Sequence, residues 1–373
     1  MDNNKKNICI VGGGNIGTLL YSDLSLNKNV DVSLYTSKPN LWGDSIKVYN
    51  SSDVLLYEVT CGNISNNASE IISNADIIII TLPSSVYPDF YFKIKDFIKP
   101  GSWLGFMPGS GGVELISQDV LDNGSFIFGF QRVHGIARIK EYGKSVYSLG
   151  KKNELFMSAI PKCMTDEICN TFTELLNIKC NTLSNYLNVT LTPSNPILHT
   201  TRLYSIFKDY KEGVYWKNPI LFYEEWNDDS SNILLACDLE LQMLLKKLSC
   251  INLDGVKSLK EHYESKTPVE LTRKIKSITA FKDIEAPMEK TDFGFMPDFK
   301  SRYFTEDFQY GLNIIKSFCE IVNLATPNID VVLNWYGRVI NQRMYDIHCF
   351  LINNFVKQNG IESIDDVEVF YNQ

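Results

Sequence analysis

The chain has 373 residues, a formal net charge of −8, 44% hydrophobic residues and 21% charged ones. That length predicts two domains, and the balance is that of a folded protein rather than a disordered chain. The negative charge argues against nucleic acid as a main partner, no apolar run is long enough to cross a bilayer, and nine scattered Cys without a CxxC pair argue against a disulfide frame or a metal site and for reduced thiols in a cytoplasm.

The N-terminal stretch MDNNKKNICIVGGG shows no long apolar signal region before the first strand-like run, NICIV (7–11). GGGNIG follows, in which Gly12, Gly14 and Gly17 fit G-x-G-x-x-G. Apolar residues then recur at helical spacing, and VDVSLYT (30–36) alternates like a second strand. Strand, glycine turn, helix and strand make the βαβ unit of a dinucleotide-binding fold. Gly12 suits the tight turn, Gly14 the close approach of a pyrophosphate, and Gly17 the packing of helix on sheet. Asn15 and Ile16 fall in the first helical turn, whose free N–H groups and positive potential favour an anion. The predicted fold is therefore α/β, with a Rossmann-type doubly wound sheet.

The end of the second strand bears on the cofactor. An NAD site usually has an acid there to hold the ribose 2′-hydroxyl. Here Thr36, Ser37 and Lys38 stand instead. No carboxylate would repel a 2′-phosphate, and two hydroxyls and a cation would bind it, so NADP(H) is favoured over NAD(H); Lys38 reads equally as a solvated loop charge. ADIIIITLP (75–83) suits a buried strand, ending at Leu82 and Pro83 towards the crevice where nicotinamide lies in such folds. Strands are expected in 101–112, 126–133, 144–150 and 153–160, and a helix over 164–179, which closes a first domain of residues 1–185.

From about residue 190 helical spacing dominates, over 196–210, 231–250, 305–324 and 327–357. Residues 186–373 thus read as an all-helical substrate-binding domain, with the site in the cleft between the domains. Asn195 is a good N-cap and Pro196 suits the first helical position, which puts His199 in the first turns on the face of Asn195. The positive helix end disfavours imidazolium there, and a nearby carboxylate would oppose that and orient the ring. In SRYFTEDFQYG (301–311), Thr305 can cap a following helix with Glu306 and Asp307 in its first turn. Arg302, just outside, carries the planar fork that suits a substrate carboxylate. Each has a plainer reading: a His resting on its own helix end, a dipole-favoured acid and a surface Arg. Tyr204, Tyr215, Trp216, Tyr223 and Trp226 suit a pocket lining, though core packing is the commoner use.

At these residues the chain resembles the octopine/nopaline (opine) dehydrogenase family over nearly its whole length. The resemblance runs from GGGNIG through GFQRVHGIARIKEYGKSV (129–146) and NPILH (195–199) to RYFTEDFQYGL (302–312) and TPNID (326–330). It implies reductive condensation of an L-amino acid with a 2-oxo acid, commonly pyruvate, at the expense of NAD(P)H, giving an N-(carboxyalkyl)amino acid. It also implies that His199 is the general acid/base, Asp307 its orienting carboxylate, Arg302 the ligand of a substrate carboxylate, and Asn195 a hydrogen-bonding group for substrate or ring. Two points depart from the family: Thr200 stands where many members have Pro, and His134, where no fixed His is expected, reads as structural. A reductase of the ketopantoate or glycerol-phosphate type would rely on a catalytic Lys that no motif here supplies. A nucleotide-sensing non-enzyme would not need His199, Asp307 and Arg302 together. The pattern does not read out self-association, and a homodimer stays open.

Overall fold

The computed structural model describes residues 5–373. It falls into two compact units, one running to Thr190 and including Tyr371–Gln373, the other Leu191–Phe370. Among the described residues the first unit holds twelve strands: Lys6–Val11 (β1), Val30–Tyr35 (β2), Ser45–Tyr49 (β3), Leu55–Thr60 (β4), Ile64–Ser65 (β5), Ile77–Ile80 (β6), Trp103–Phe106 (β7), Phe126–Phe130 (β8), Gly135–Glu141 (β9), Ser145–Lys151 (β10), Glu154–Ile160 (β11) and Lys179–Thr182 (β12). Eight form one sheet in the order β12-β11-β8-β7-β6-β1-β2-β5. All its pairings are parallel except β8–β11. The order reverses direction between β1 and β6, the switch point at which open α/β sheets bind ligands. The all-Ile β6 is buried along its whole length, as a central parallel strand covered on both faces requires.

A second sheet, β4-β3-β10-β9, clasps the helix Asn15–Ser25. Leu20 and Leu24 of that helix enter the main core, while Leu19 packs with Ile46, Val48, Val59, Ala137 and Val146. The helix is thus buried on both sides, and its polar Asp23 must be neutralised inside. Asp23 Oδ2 meets His134 Nε2 at 3.0 Å, Oδ1 accepts from Lys151 Nζ at 2.8 Å, and the Tyr57 hydroxyl also donates to it. These partners hold its carboxyl below the usual range against the upward push of burial. His134 is fully buried, so its ring is a strut of this cluster. The sequence reading did not foresee β3, β4, β5, β9 or β12. The β3–β4 hairpin hides its pattern because Val54, Leu55 and Leu56 are exposed.

The second unit is built on the helices Pro196–Phe207, Asp228–Lys247, Pro268–Ser277, Asn313–Ile321 and Pro327–Val339, with one hairpin, Met288–Thr291 (β13) and Gly294–Pro297 (β14). The first two match the expected spans to within three residues. The other two expectations are corrected. The segment 305–324 is not one helix: a short helix Arg302–Thr305 passes into a π-turn Phe308–Leu312 and only then into Asn313–Ile321. Thr305 therefore caps nothing, and Ser301 holds the N-cap position. Nor is 327–357 one helix. The chain leaves it after Val339, where Asn341 takes φ 53°, and folds back so that Gln342 O comes within 2.6 Å of where a Cβ on Gly337 would lie. Asp346 then organises the loop by accepting from His348 N and Phe350 N.

Candidate functional site

In the first unit the glycine turn has the geometry its spacing predicted. Gly12 sits at φ +106°, in the left-handed region that favours glycine. A Cβ on Gly17 would lie 1.8 Å from Gly12 O, so helix and turn pack together only without a side chain. A Cβ on Gly14 would meet nothing within 4 Å, which leaves an open cradle at the helix N-terminus, of the kind an anion fills. Asn15 Oδ1 is already used, accepting from Ile139 N at 2.7 Å, and Ile16 packs against the second-sheet core. What these two residues offer a phosphate is backbone N–H, not side chain. Leu82 lies over the turn, its Cδ2 3.0 Å from a Cβ on Gly12, and Pro83 follows it, both half-buried.

At the end of β2, Thr36 is buried, and its Oγ1 lies 3.1 Å from the Tyr142 hydroxyl and accepts weakly from Lys38 N. Its hydroxyl is thus engaged within the protein, whereas Ser37 and Lys38 are exposed. Trp42 packs edge-on to Tyr142, and both close over Gly13. No sequence pattern marks Trp42 and Tyr142, which come from distant turns.

In the second unit the structure brings two of the predicted groups together across 108 residues: His199 Nδ1 lies 2.9 Å from Asp307 Oδ2. Both side chains are mostly sheltered, at 15% and 18% exposure. Two local features set this distance. Pro196 starts the helix and Thr200 Oγ1 donates back to Pro196 O at 2.5 Å, so the helix runs on through the position where a Pro was expected. Gly311 then lets the π-turn approach that helix start: a Cβ there would be 3.1 Å from Pro196 Cβ. The π-turn is fixed from behind by Phe308, stacked on Phe304 at 5.8 Å and on Tyr336 at 4.1 Å. Asp307, at its N-cap position, faces the imidazole from a rigid base.

Three aromatic residues complete the surroundings. Tyr303 leans on the imidazole with ring centroids 4.8 Å apart, Phe222 meets it edge-on at 5.8 Å, and the Tyr223 hydroxyl lies 3.2 Å from Nε2. Burial, chiefly, pushes the Tyr223 phenol well above its ordinary range. Arg302 opens the short helix one turn before Asp307, exposed and, among the described residues, without a carboxylate partner. Asn195 occupies the N-cap position, but its side chain is exposed and caps nothing. Sequence reasoning missed Tyr303 and Gly311 and left Tyr223 among several aromatics. No periodic signal separates these from core residues.

An imidazole oriented by a carboxylate, with an unpaired guanidinium five residues before that carboxylate, can move a proton beside a bound anion. The comparisons with known proteins bear on this arrangement. Residues 182–340 match the family model described as NAD/NADP octopine/nopaline dehydrogenase, alpha-helical domain. The chain is 26% identical over 369 residues to tauropine dehydrogenase of Arabella iricolor, covering 90% of this chain and 91% of that one. Structures of octopine dehydrogenase with NADH and L-arginine and with NADH and pyruvate superpose at TM-scores of 0.85 and 0.84, with 21% identity, over 97% of this chain and 98% of that one. Yersinopine dehydrogenase with NADP+ bound superposes at 0.68, with 11% identity, over 100% and 99% of the two chains.

Proposed function

We propose that the chain is an opine dehydrogenase of the octopine/nopaline type, an NAD(P)-dependent oxidoreductase acting on CH–NH groups, which condenses an L-amino acid with a 2-oxo acid, pyruvate first among them, and reduces the resulting imine; the match of residues 182–340 to the family's helical-domain model and the 26% identity to tauropine dehydrogenase support this reading. The observation that carries this reading is the 2.9 Å His199–Asp307 pair, with Arg302, which has no carboxylate partner among the described residues, five residues before Asp307 in the same segment. A bound nicotinamide supplies the hydride. The protein supplies position and proton transfer. Asp307 accepts from Nδ1–H, which leaves the Nε2 lone pair as the base and steadies the imidazolium once it forms. As imidazolium, His199 gives its proton to the hydroxyl of the carbinolamine, which departs as water and leaves the imine. Arg302 pairs with a substrate carboxylate through two parallel N–H groups. Asn195, exposed at the helix start, is available to hydrogen-bond the substrate.

For the cofactor, the Gly14 cradle and the first helical turn fit a dinucleotide pyrophosphate. No carboxylate stands at the end of β2, and with Thr36 engaged, the preference for NADP(H) rests on Ser37 and Lys38.

The test is an amine requirement. Pyruvate with a panel of L-amino acids, run with NADPH and then NADH at 340 nm, should give amine-dependent oxidation, faster with NADPH. Oxidation driven by an oxo acid alone, at the same rate with and without amine, would replace this reading with that of a simple 2-oxo acid reductase.

A further inference from the structure

An imidazole exchanges protons only through its two nitrogens, and in this site both are taken. Asp307 occupies Nδ1 and the Tyr223 hydroxyl occupies Nε2. With Nδ1–H donating to the carboxylate, neutral His199 has its lone pair at Nε2, and the Tyr223 O–H donates to it. Tyr303 and Phe222 cover much of the ring besides. A substrate oxygen therefore meets His199 in one of two ways: it displaces Tyr223, or it receives the proton through Tyr223.

The structure resists displacement. The Tyr223 ring stacks on Phe281 at 4.0 Å with 14° between planes, lies parallel to Trp226 at 6.4 Å and takes Phe222 edge-on at 4.8 Å. Its backbone is pinned as well. Phe222 N donates to Ile284 O at 2.7 Å, and Phe222 O accepts from Arg202 Nε at 2.7 Å. Arg202 lies on the same helix as His199, three residues on, and is itself buried, held by Ser230 at 2.9 Å and over the Trp226 ring at 5.2 Å. Burial brings its guanidinium down to about 10, so it still carries its charge at neutral pH. One helix thus carries the imidazole and also anchors the loop that places the hydroxyl on it.

We propose that Tyr223 is a catalytic residue, its hydroxyl relaying the proton between His199 Nε2 and the substrate oxygen. The proposal rests on the opine dehydrogenase reading above. In the dehydrating direction the imidazolium N–H bond breaks and its proton passes to the phenol oxygen. In the same step the phenol O–H bond breaks and its proton passes to the carbinolamine hydroxyl, which leaves as water. Neutral imidazole and neutral phenol remain. No tyrosinate forms, consistent with a phenol whose ionisation burial opposes.

Tyr223→Phe keeps the ring stack and removes only the relay. With pyruvate and the best amine of the panel, kcat should fall about 10²-fold or more, the range of positioned acid–base help, while the cofactor KM stays put. The solvent-deuterium proton inventory should change from bowed in the wild type, with two protons in flight, to linear or flat. His199→Ala runs alongside. If the wild type turns over, His199→Ala does not, and Tyr223→Phe keeps its rate and a bowed inventory, the hydroxyl only caps the imidazole and the relay is overturned alone. If no amine and oxo acid pair oxidises NADPH or NADH with the wild type, the functional reading falls and the relay with it.

Discussion

Replacing Asp307 by Asn tests the orientation of His199 with almost no change in shape. The carboxylate contributes two separable effects through its 2.9 Å contact with Nδ1. One is charge. A hydrogen bond to an ionised partner is worth about 1.5–3 kcal/mol against about 0.5–1.5 for a neutral one, so losing the charge costs about 1–1.5 kcal/mol, or about tenfold in rate. The other is the tautomer. An amide can turn its NH2 towards Nδ1, which drives the ring proton to Nε2 and removes the base. Where an oriented base loses its tautomer in this way, turnover falls about 10⁴-fold, which is about 5.5 kcal/mol. Nothing else at the site would oppose the flip, because the Tyr223 hydroxyl at Nε2 can accept as readily as it donates. We expect Asp307→Asn to lower kcat by about 10²–10⁴, as read by absorbance at 340 nm with pyruvate and the preferred amine. Fluorescence titration with the reduced cofactor should be unchanged. The melting temperature should move by a few degrees at most, since the pair is partly solvated and worth about 1 kcal/mol to stability. A variant within tenfold of wild-type turnover would show only the charge effect, and the claim that Asp307 orients the base would be wrong.

The glycine turn and a buried acid give two further expectations. Gly14→Ala should fold with an unchanged melting temperature but bind reduced cofactor at least tenfold more weakly, because its Cβ enters open space at the phosphate cradle; Gly17→Ala, whose Cβ would sit 1.8 Å from Gly12 O, should lose stability instead. Glu114 is fully buried; burial raises its carboxyl to about 7 against the downward pull of hydrogen bonds from Thr190 and Tyr371. Between 4.5 and about 7 the folded state holds a proton that the unfolded state has lost, so stability falls as pH rises through that window, by about 3 kcal/mol from this one group. Glu114→Gln should therefore match the wild type below pH 5 and exceed it above pH 7 in urea unfolding, and a constant difference at all pH values would refute the assignment.

What the sequence made legible follows from how far each feature reaches along the chain. The βαβ unit is local, and its turn, helix and strands all lie within 30 residues, so glycine spacing and alternation suffice. The helices Pro196–Phe207 and Asp228–Lys247 were readable for the same reason. The break after Val339 was not, because Gly337 looks tolerable inside a helix until the returning chain at Gln342 occupies the space its side chain would need. The π-turn at 308–312 was hidden too: one extra residue in a turn leaves no mark on apolar spacing, yet it sets where Asp307 points. Arg302 and Asp307 could be picked out by their spacing, but not their different situations, one exposed and one sheltered.

In the proposed reaction the His199 imidazole depends on features of both kinds. Asp307 alone would hold a His in one tautomer anywhere on a protein surface. What makes His199 different is that its remaining nitrogen faces a phenol it cannot easily push away, because Phe281, Trp226 and the Arg202-pinned loop fix that phenol from three sides. Arg202 and Ser230 have no chemistry to perform on a substrate, but they set the Tyr223 hydroxyl at 3.2 Å from Nε2. A change at Arg202 should therefore reach catalysis through Tyr223. That dependence is carried by contacts among residues 199–202, 222–230 and 281, and it appears only once the chain has folded.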